Sequence, residues 1–172
     1  MFNNIRGDLR SHAGDWAAQG FWAMVVYRFG RWRYTIASPV LRYPFSLLYK
    51  FLFKLAQIIT GIELPCEVVV GRGFVIDHFG GIVISGYARF GDNCRIRNGV
   101  VVGLKNVSEP CAPQFGNNVD IGAGAKVLGA ITIGNNVSIG ANAVVACNVP
   151  DNYLAVGVPA VLKPKKDMRE KL

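Results

Sequence analysis

The apolar positions between Phe115 and Pro150 recur every six residues. Read in sixes, the stretch is FGNNVD, IGAGAK, VLGAIT, IGNNVS, IGANAV and VACNVP. The first position of each hexad is a large apolar residue, and the fifth is small or β-branched and also apolar. Neither the helix period of 3.6 nor the strand period of two accounts for this pattern, whereas short flat strands joined by tight turns do. The repeat predicts a solenoid whose rungs bury their apolar faces against one another.

The turns of this predicted solenoid are rich in glycine and asparagine. Gly134, Asn135 and Asn136 are residue types that adopt the positive φ angles of tight turns. The pattern, with its closing segment at residues 156–160, resembles the hexapeptide-repeat acyltransferases, in which three hexads form one triangular coil. The resemblance implies a mainly β fold, a left-handed parallel β-helix with an N-terminal α-helical segment. A structural solenoid without catalytic activity is the alternative.

The N-terminal 60 residues have a helical pattern instead. Residues 1–15 are polar and predict a loop or a short helix, and residues 16–36 predict a helix that Ser38-Pro39 breaks. A second helix is predicted from Pro44 to Ile59, with Pro44 in its first turn. This helix is apolar nearly all round, so it is expected either to be buried in an oligomer or to lie at a membrane interface.

The hexad repeat is interrupted twice, and interruptions of a strict repeat are expected to mark functional sites. The register slips by two residues between Ile76 and Ile84. It breaks again from Gly103 to Gln114, where two prolines predict a projecting loop. The predicted domains are therefore a helical segment at 1–60, a β-helix at 61–162 with the loop at 103–114, and a basic tail at 163–172.

Charge and cysteine content limit the class of protein. The net charge is +8, and residues 1–60 carry eight Lys or Arg against two Asp. No nucleic-acid-binding motif accompanies this charge, so a membrane surface or an anionic substrate is the expected partner and nucleic acid is not. The four cysteines form no CxxC pair and are expected to be reduced and mostly buried, without a metal. No signal peptide or membrane-spanning run is recognised. We expect a cytoplasmic protein that can work at the inner face of the membrane.

Asp77 and His78 lie in the first interruption of the repeat. Acyl transfer from a thioester to an alcohol needs a base that removes the hydroxyl proton near neutral pH, and the pKa of histidine suits this role. Alternatively, His78 could be a corner residue bonded to a backbone carbonyl, and Asp77 could cap a turn. The position in the break favours the functional interpretation.

Residues 61–103 resemble the serine acetyltransferases, which carry a D-H-x-x-G-I-V-V motif here. Asp77, His78 and Gly81 match the motif, and Ile84 replaces its last valine. The resemblance implies that His78 is the general base and that a carboxylate fifteen residues earlier, here Glu63, orients it. Asp77 then contacts the acceptor. We also expect Gly81 and Arg97 to bind the acceptor.

The same resemblance implies acetyl-CoA as the acetyl donor and a homotrimer with active sites between subunits. In that family, backbone groups at hexad corners hold the pantetheine arm in the groove between β-helices. The matching positions are Gly122-Ala123 and Gly140-Ala141. Lys163, with Lys165 and Lys166, is expected to contact the phosphates, and a solvated basic tail is the alternative.

The sequence departs from the serine acetyltransferases in the loop before the second block of hexads. Their Arg-His-Pro, of which the Arg and His hold the charged groups of serine, is Cys111-Ala112-Pro113 here. An acidic contact to serine could come from Asp8 or Asp15 instead. The loss of the pair favours a sugar hydroxyl of a surface polysaccharide or its precursor as acceptor, reached at the membrane through residues 28–59. Serine remains the alternative acceptor, and a non-catalytic trimeric scaffold the alternative to an enzyme.

Overall fold

The computed structural model describes residues 2–106, 108 and 110–165. Its N-terminal part is helical, with α1 at Phe2–Ser11, α2 at Gln19–Trp32 and α3 at Pro39–Thr60. A single 3₁₀ turn, Arg33–Thr35, follows α2. The predicted helix at residues 16–36 is therefore shorter at both ends.

The start of α3 differs from the sequence prediction by five residues. Ser38 caps the helix, since its Oγ accepts a hydrogen bond from the N–H of Leu41 at 3.5 Å, and Pro39 is its first residue. Pro39 fits because the first turn has no use for its missing N–H. Pro44 thus lies inside the helix rather than in its first turn. Gly61 ends α3 in the left-handed conformation, with φ 62°.

Short strands occupy the rest of the described chain and wind into a three-sided β-helix. One face consists of β1, β4, β7, β10 and β13, the second of β2, β5, β8 and β11, and the third of β3, β6, β9, β12 and β14, with β15 added antiparallel. We refer to these faces as sheets A, B and C. The strands are β1 Ile62–Glu63, β2 Val69–Val70, β3 Val75–Asp77, β4 Ile82–Ile84, β5 Arg89–Phe90, β6 Arg95–Arg97, β7 Val101–Gly103, β8 Gln114–Phe115, β9 Asp120–Ile121, β10 Lys126–Leu128, β11 Thr132–Ile133, β12 Ser138–Ile139, β13 Val144–Val145, β14 Tyr153–Val156 and β15 Val161–Pro164.

The hexad positions form the core, which confirms the interpretation of the repeat. All twelve first and fifth positions from Phe115 to Val149 are buried. Equivalent residues stack on successive coils, as Phe90 and Phe115 do with their ring centroids 4.4 Å apart and nearly parallel. The fold is the predicted parallel β-helix of the hexapeptide-repeat type with N-terminal helices.

The corner between sheets B and C shows why asparagine recurs in the turns. Asn93, Asn118, Asn136 and Asn152 have positive φ angles of 55–62°. The side-chain amides of the first three each donate a hydrogen bond to the side-chain oxygen of the asparagine on the next coil, at 3.0–3.2 Å. Asparagine tolerates the left-handed conformation, so one residue type serves both the turn and the stacking of the coils.

Helix α3 leaves most of its apolar surface exposed in the single chain. Only Tyr49 and Thr60 of its residues are buried, whereas Val40 and Ile58 are 80% and 73% exposed. Within the described residues, no helix combines the length and apolarity needed to cross a bilayer.

The cysteines differ from the prediction that most are buried. Cys66 and Cys94 are buried, whereas Cys111 and Cys147 are exposed, and all four are free thiols. Burial raises the pKa of the Cys94 thiol. In the described part of the chain, no three His, Cys, Asp or Glu side chains are grouped to hold a metal ion.

Candidate active site

The first interruption of the repeat is a bulged corner between sheets C and A. Asp77 pairs with Arg97 on the next coil, and Val83 pairs with Val101. The upper corner therefore contains two residues more than the corner beneath it. The additional length lets His78 stand out from the β-helix, and its side chain is exposed.

The backbone of His78 is in the left-handed region, with φ 65°. Seven non-glycine residues of the described chain have positive φ, and five of them are asparagines. The two exceptions are Ala13 and His78, and both line the same cavity. Such conformations are costly and tend to persist at functional sites, so their joint occurrence supports a functional role for this cavity.

This cavity has a volume of about 290 Å³ and lies between the end of α1, the following loop and sheet C. We call it the His78 cavity. Its polar lining combines a histidine pair, two carboxylates, a guanidinium and a hydroxyl. These side chains belong to Ser11, His12, Asp15, Asp77, His78 and Arg95.

His12 fastens α1 to the β-helix beside the cavity. Its Nδ1 lies 2.8 Å from the carbonyl oxygen of Asp8, and its Nε2 accepts a hydrogen bond from the N–H of Ile76 at 3.3 Å. Nε2 is therefore the unprotonated nitrogen, and Nδ1 carries the hydrogen. With both nitrogens bonded and the ring buried, His12 has a structural role that the sequence pattern did not show.

Of the two aspartates considered from the sequence, only Asp15 lines the cavity. The carboxylate of Asp8 is buried in a two-bond ion pair with Arg28, at 2.8 and 3.0 Å. A carboxylate held in this way is not free to bind an acceptor, so Asp15 is the better candidate for an acidic contact.

Asp77 is held by a second ion pair within the cavity. Its Oδ2 lies 2.7 Å from Nη1 of Arg95, which is 18 residues further along and one coil lower. Sequence analysis missed Arg95, because Arg95 lies opposite Val75 and reaches Asp77 only diagonally between the two coils.

Glu63 is not brought into contact with His78. Among the described residues, no hydrogen bond joins the two side chains. Glu63 is exposed on sheet A, opposite Val83, and lines a groove of about 320 Å³ with Lys54 and Gln57 of α3. That groove and the His78 cavity flank the same corner from opposite sides. The pairing of His78 with Glu63 stays a prediction.

The remaining predicted acceptor contacts have structural partners of their own. Arg97 binds the carboxylate of Asp120, and this hydrogen bond raises the pKa of Arg97. Arg97 is not among the residues that line the His78 cavity. Gly81 has φ 66°, which glycine adopts without strain, so the turn alone accounts for its presence.

The predicted cofactor residues lie on the same corner as His78. Gly122-Ala123 follow β9 and Gly140-Ala141 follow β12, so both pairs are at turns from sheet C to sheet A. They lie two and three coils below the His78 corner, about 10 and 14 Å away at the usual strand spacing. Small residues leave this edge smooth. Packing also contributes, since a Cβ at Gly122 would lie 2.5 Å from the N of Ala141.

Lys163 and the loop before the second hexad block lie elsewhere. Lys163 is exposed on β15, opposite Leu154. Cys111 and Ala112 line a separate cavity at the corner between sheets A and B. Within one chain, this loop and His78 are therefore at different corners. Lys166 and the following residues are outside the described part of the chain.

Comparison with known proteins identifies the relatives of the chain. Residues 113–147 match the bacterial transferase hexapeptide family, described as six repeats. A serine acetyltransferase of Synechococcus elongatus is 41% identical over 141 residues, which are 81% of this chain and 55% of that protein. The chain thus spans about half the length of this relative. The putative colanic acid biosynthesis acetyltransferase WcaB of Escherichia coli is 34% identical over 161 residues, 91% of this chain and 96% of that protein.

The fold is also similar to solved serine acetyltransferases. A crystal structure of the enzyme from Brucella abortus in complex with coenzyme A superposes with a TM-score of 0.79 at 29% identity, covering 96% of this chain and 68% of that one. The similarity includes the N-terminal helices as well as the β-helix.

Proposed function

Because the chain belongs to the serine acetyltransferase family of hexapeptide-repeat acyltransferases, we propose that it transfers acetyl from acetyl-CoA to a sugar hydroxyl. The sugar is part of a surface polysaccharide or its precursor. The observation that carries this proposal is His78, exposed on a strained corner bulge beside a polar cavity. A sugar acceptor is supported by Ala112 in place of the family's histidine and by the similarity to WcaB over nearly its whole length.

The corner between sheets C and A suits a long, thin cofactor. Ala123 and Ala141 place no large side chain on this edge. Lys126, on β10, stabilises this edge, since its Nζ donates to the carbonyl oxygens of Gly124 and Gly99 at 2.6 and 3.2 Å. Gly122, Ala123, Gly140 and Ala141 would hold the pantetheine arm, and Lys163 would meet the phosphates. Acetyl-CoA supplies the activated acetyl group when bound.

His78 acts as the general base in a direct transfer. It removes the proton of the acceptor hydroxyl while the oxygen attacks the acetyl carbonyl, and it then gives that proton to the departing thiolate. Glu63 is the carboxylate proposed to orient His78 and to stabilise its charged form. Asp77, Gly81 and Arg97 are proposed to position the acceptor, since holding both reactants in one cleft lowers the barrier.

A homotrimer with active sites between subunits is part of the proposal. The loop at 103–114 and His78 occupy different corners of one chain. A single site that uses both must therefore include two subunits. The exposed apolar face of α3, flanked by Lys50 and Lys54, is proposed to contact the inner face of the membrane, where a lipid-linked sugar would be met.

The proposal is tested by thiol release from acetyl-CoA with a panel of neutral sugars and, separately, with L-serine. We expect release with a sugar, and a loss of about 10²-fold or more in kcat for His78→Ala. The ester product identifies the acceptor. Release that persists unchanged in His78→Ala would contradict the mechanism.

Serine O-acetylation for cysteine biosynthesis is the second candidate. Asp15 lines the His78 cavity, where its carboxylate could bind the ammonium group of serine. Serine-dependent release without any sugar-dependent release would establish this candidate. Failure to bind acetyl-CoA at all would leave a non-catalytic scaffold as the remaining interpretation.

A further inference from the structure

Arg95 is a charged group of the His78 cavity to which the proposed reaction assigns no role. Its Nη1 lies 2.7 Å from Oδ2 of Asp77, and its side chain is 46% exposed. Among the described residues that line the cavity, Arg95 is the only Lys or Arg. The charge of Asp77 is therefore balanced within the cavity itself.

The second arginine of β6, Arg97, is not available to balance the charge of Asp77. Arg97 is engaged by the carboxylate of Asp120 and by the carbonyl of Ile121 on the next coil. The fixed charges that line the cavity are thus Asp15, Asp77 and Arg95. Removal of the guanidinium would leave two carboxylates without a cation.

We infer that Arg95 makes the cavity select neutral acceptors over positively charged ones, an inference that rests on the proposed acetyltransferase function. A sugar hydroxyl both donates and accepts, and the Asp77–Arg95 pair presents carboxylate oxygens beside guanidinium N–H groups. The pair therefore binds neighbouring hydroxyls of a neutral sugar. An ammonium group on the acceptor must displace Arg95 from Asp77 or lie beside a like charge, and both disfavour it.

The test compares D-glucose with D-glucosamine at pH 6.5, since the two sugars differ in one hydroxyl that is replaced by an amine. Arg95→Gln keeps a hydrogen-bond donor and removes the charge. We expect the ratio of kcat/KM for glucosamine to that for glucose, measured on the ester product, to rise about tenfold in Arg95→Gln. Arg72→Gln is the matched control, because Arg72 pairs with Asp92 at another corner. The control is expected to leave the ratio unchanged.

An activity-independent measurement separates the two proposals. The chain has two histidines, so the imidazole signals in a carbon–proton NMR spectrum are assigned with His78→Ala. The His78 signal is followed while each sugar is added to the protein. This gives a dissociation constant for glucosamine and one for glucose, and hence their ratio. A ratio that shifts towards glucosamine in Arg95→Gln, without turnover of any acceptor, supports Arg95 and refutes the acetyltransferase. Turnover with an unchanged ratio overturns Arg95 alone, as does the absence of any shift of His78 with either sugar.

Discussion

The two histidines have opposite environments, although they line one cavity. His78 is exposed and is without a hydrogen-bond partner among the described residues. In contrast, Nδ1 of His12 is bonded to the carbonyl of Asp8 in α1, and its Nε2 is bonded to the N–H of Ile76 in β3. A free imidazole on a strained turn is available for proton transfer. A doubly bonded, buried one stabilises the fold around it.

His12→Ala is therefore expected to lower the free energy of unfolding by about 1–3 kcal/mol, because it leaves the N–H of Ile76 without a partner. His78→Ala is expected to leave this quantity within about 0.5 kcal/mol of wild type, as is usual for exposed positions. Urea unfolding followed by circular dichroism measures both. Equal destabilisation by the two substitutions would contradict the assignment of roles.

Residues in a repeat were easier to predict than residues of the cavity. His78 was found from the sequence because it lies where a strict period breaks. Arg95 and His12 were missed, and Asp15 was named only as an alternative to Asp8, because the packing of α1 and a diagonal contact between coils bring them together. No local pattern in the sequence indicates either of these contacts. Glu63 was named through the resemblance to serine acetyltransferases, which carry an orienting carboxylate fifteen residues before the histidine, and a matching position alone does not place its carboxylate at the imidazole.

At the level of elements, the β-helix could be predicted from the sequence because the apolar residues of each hexad identify its inward-facing positions. The helix boundaries were predicted less accurately. Pro44 suggested a helix start, but Ser38 and Pro39 together supply a cap and a first residue, and the helix begins there. The contact of α2 with β3 could not be predicted, since it depends on Gly20 meeting Ile76.

Gly20→Ala is expected to weaken the attachment of α2 beside the His78 cavity. A Cβ at Gly20 would overlap the carbonyl oxygen of Ile76, and overpacking of this kind costs about 1–3 kcal/mol. Gly7→Ala is the matched control in α1, where a Cβ meets nothing within 4 Å. It is expected to stabilise the helix by up to about 1 kcal/mol. Thermal unfolding of the two variants should shift in opposite directions, and a gain in stability for Gly20→Ala would refute the close contact.

The corner between sheets B and C is expected to make stability sensitive to acid. Hydrogen bonds from the side chain and backbone of Asn135 hold the pKa of Asp151 below its ordinary value. Because the folded-state pKa is lower than the unfolded value of about 3.9, the carboxylate stabilises the fold fully above about pH 5. That contribution is lost as the pH falls through the folded-state pKa.

Asp151→Asn is accordingly expected to have a lower Tm than wild type at pH 7, with the difference shrinking towards about pH 3. Thermal unfolding at several pH values between these limits measures the gap. A gap that stays constant with pH would show that the charge of Asp151 does not contribute. Asp92, whose pKa is lowered chiefly by the backbone N–H of Arg72 and also by its side chain, should behave in the same way.

At the level of the whole molecule, the charge and the exposed apolar surface coincide. Residues 1–60 carry six of the eight net positive charges, and the exposed residues of α3 form one apolar face with Lys50 and Lys54 along its edge. This composition is typical of helices that bind at the boundary of an anionic bilayer. The candidate active-site corner adjoins the end of α3, because the N–H of Gly80 donates to the carbonyl of Thr60 at 2.9 Å.

We therefore expect the protein to float with phosphatidylglycerol vesicles and much less with phosphatidylcholine vesicles. Near an anionic surface each lysine contributes about 1 kcal/mol, so Lys50→Glu with Lys54→Glu should weaken binding by at least about tenfold. Phe51→Ser should weaken it on both lipids, whereas Val161→Ser, an exposed apolar position on β15, is the matched control. Light scattering of the same variants decides whether the apolar face of α3 contacts a membrane or another subunit. Loss of the oligomer in Phe51→Ser, without vesicle binding by wild type, would make α3 a contact between subunits instead of a membrane surface.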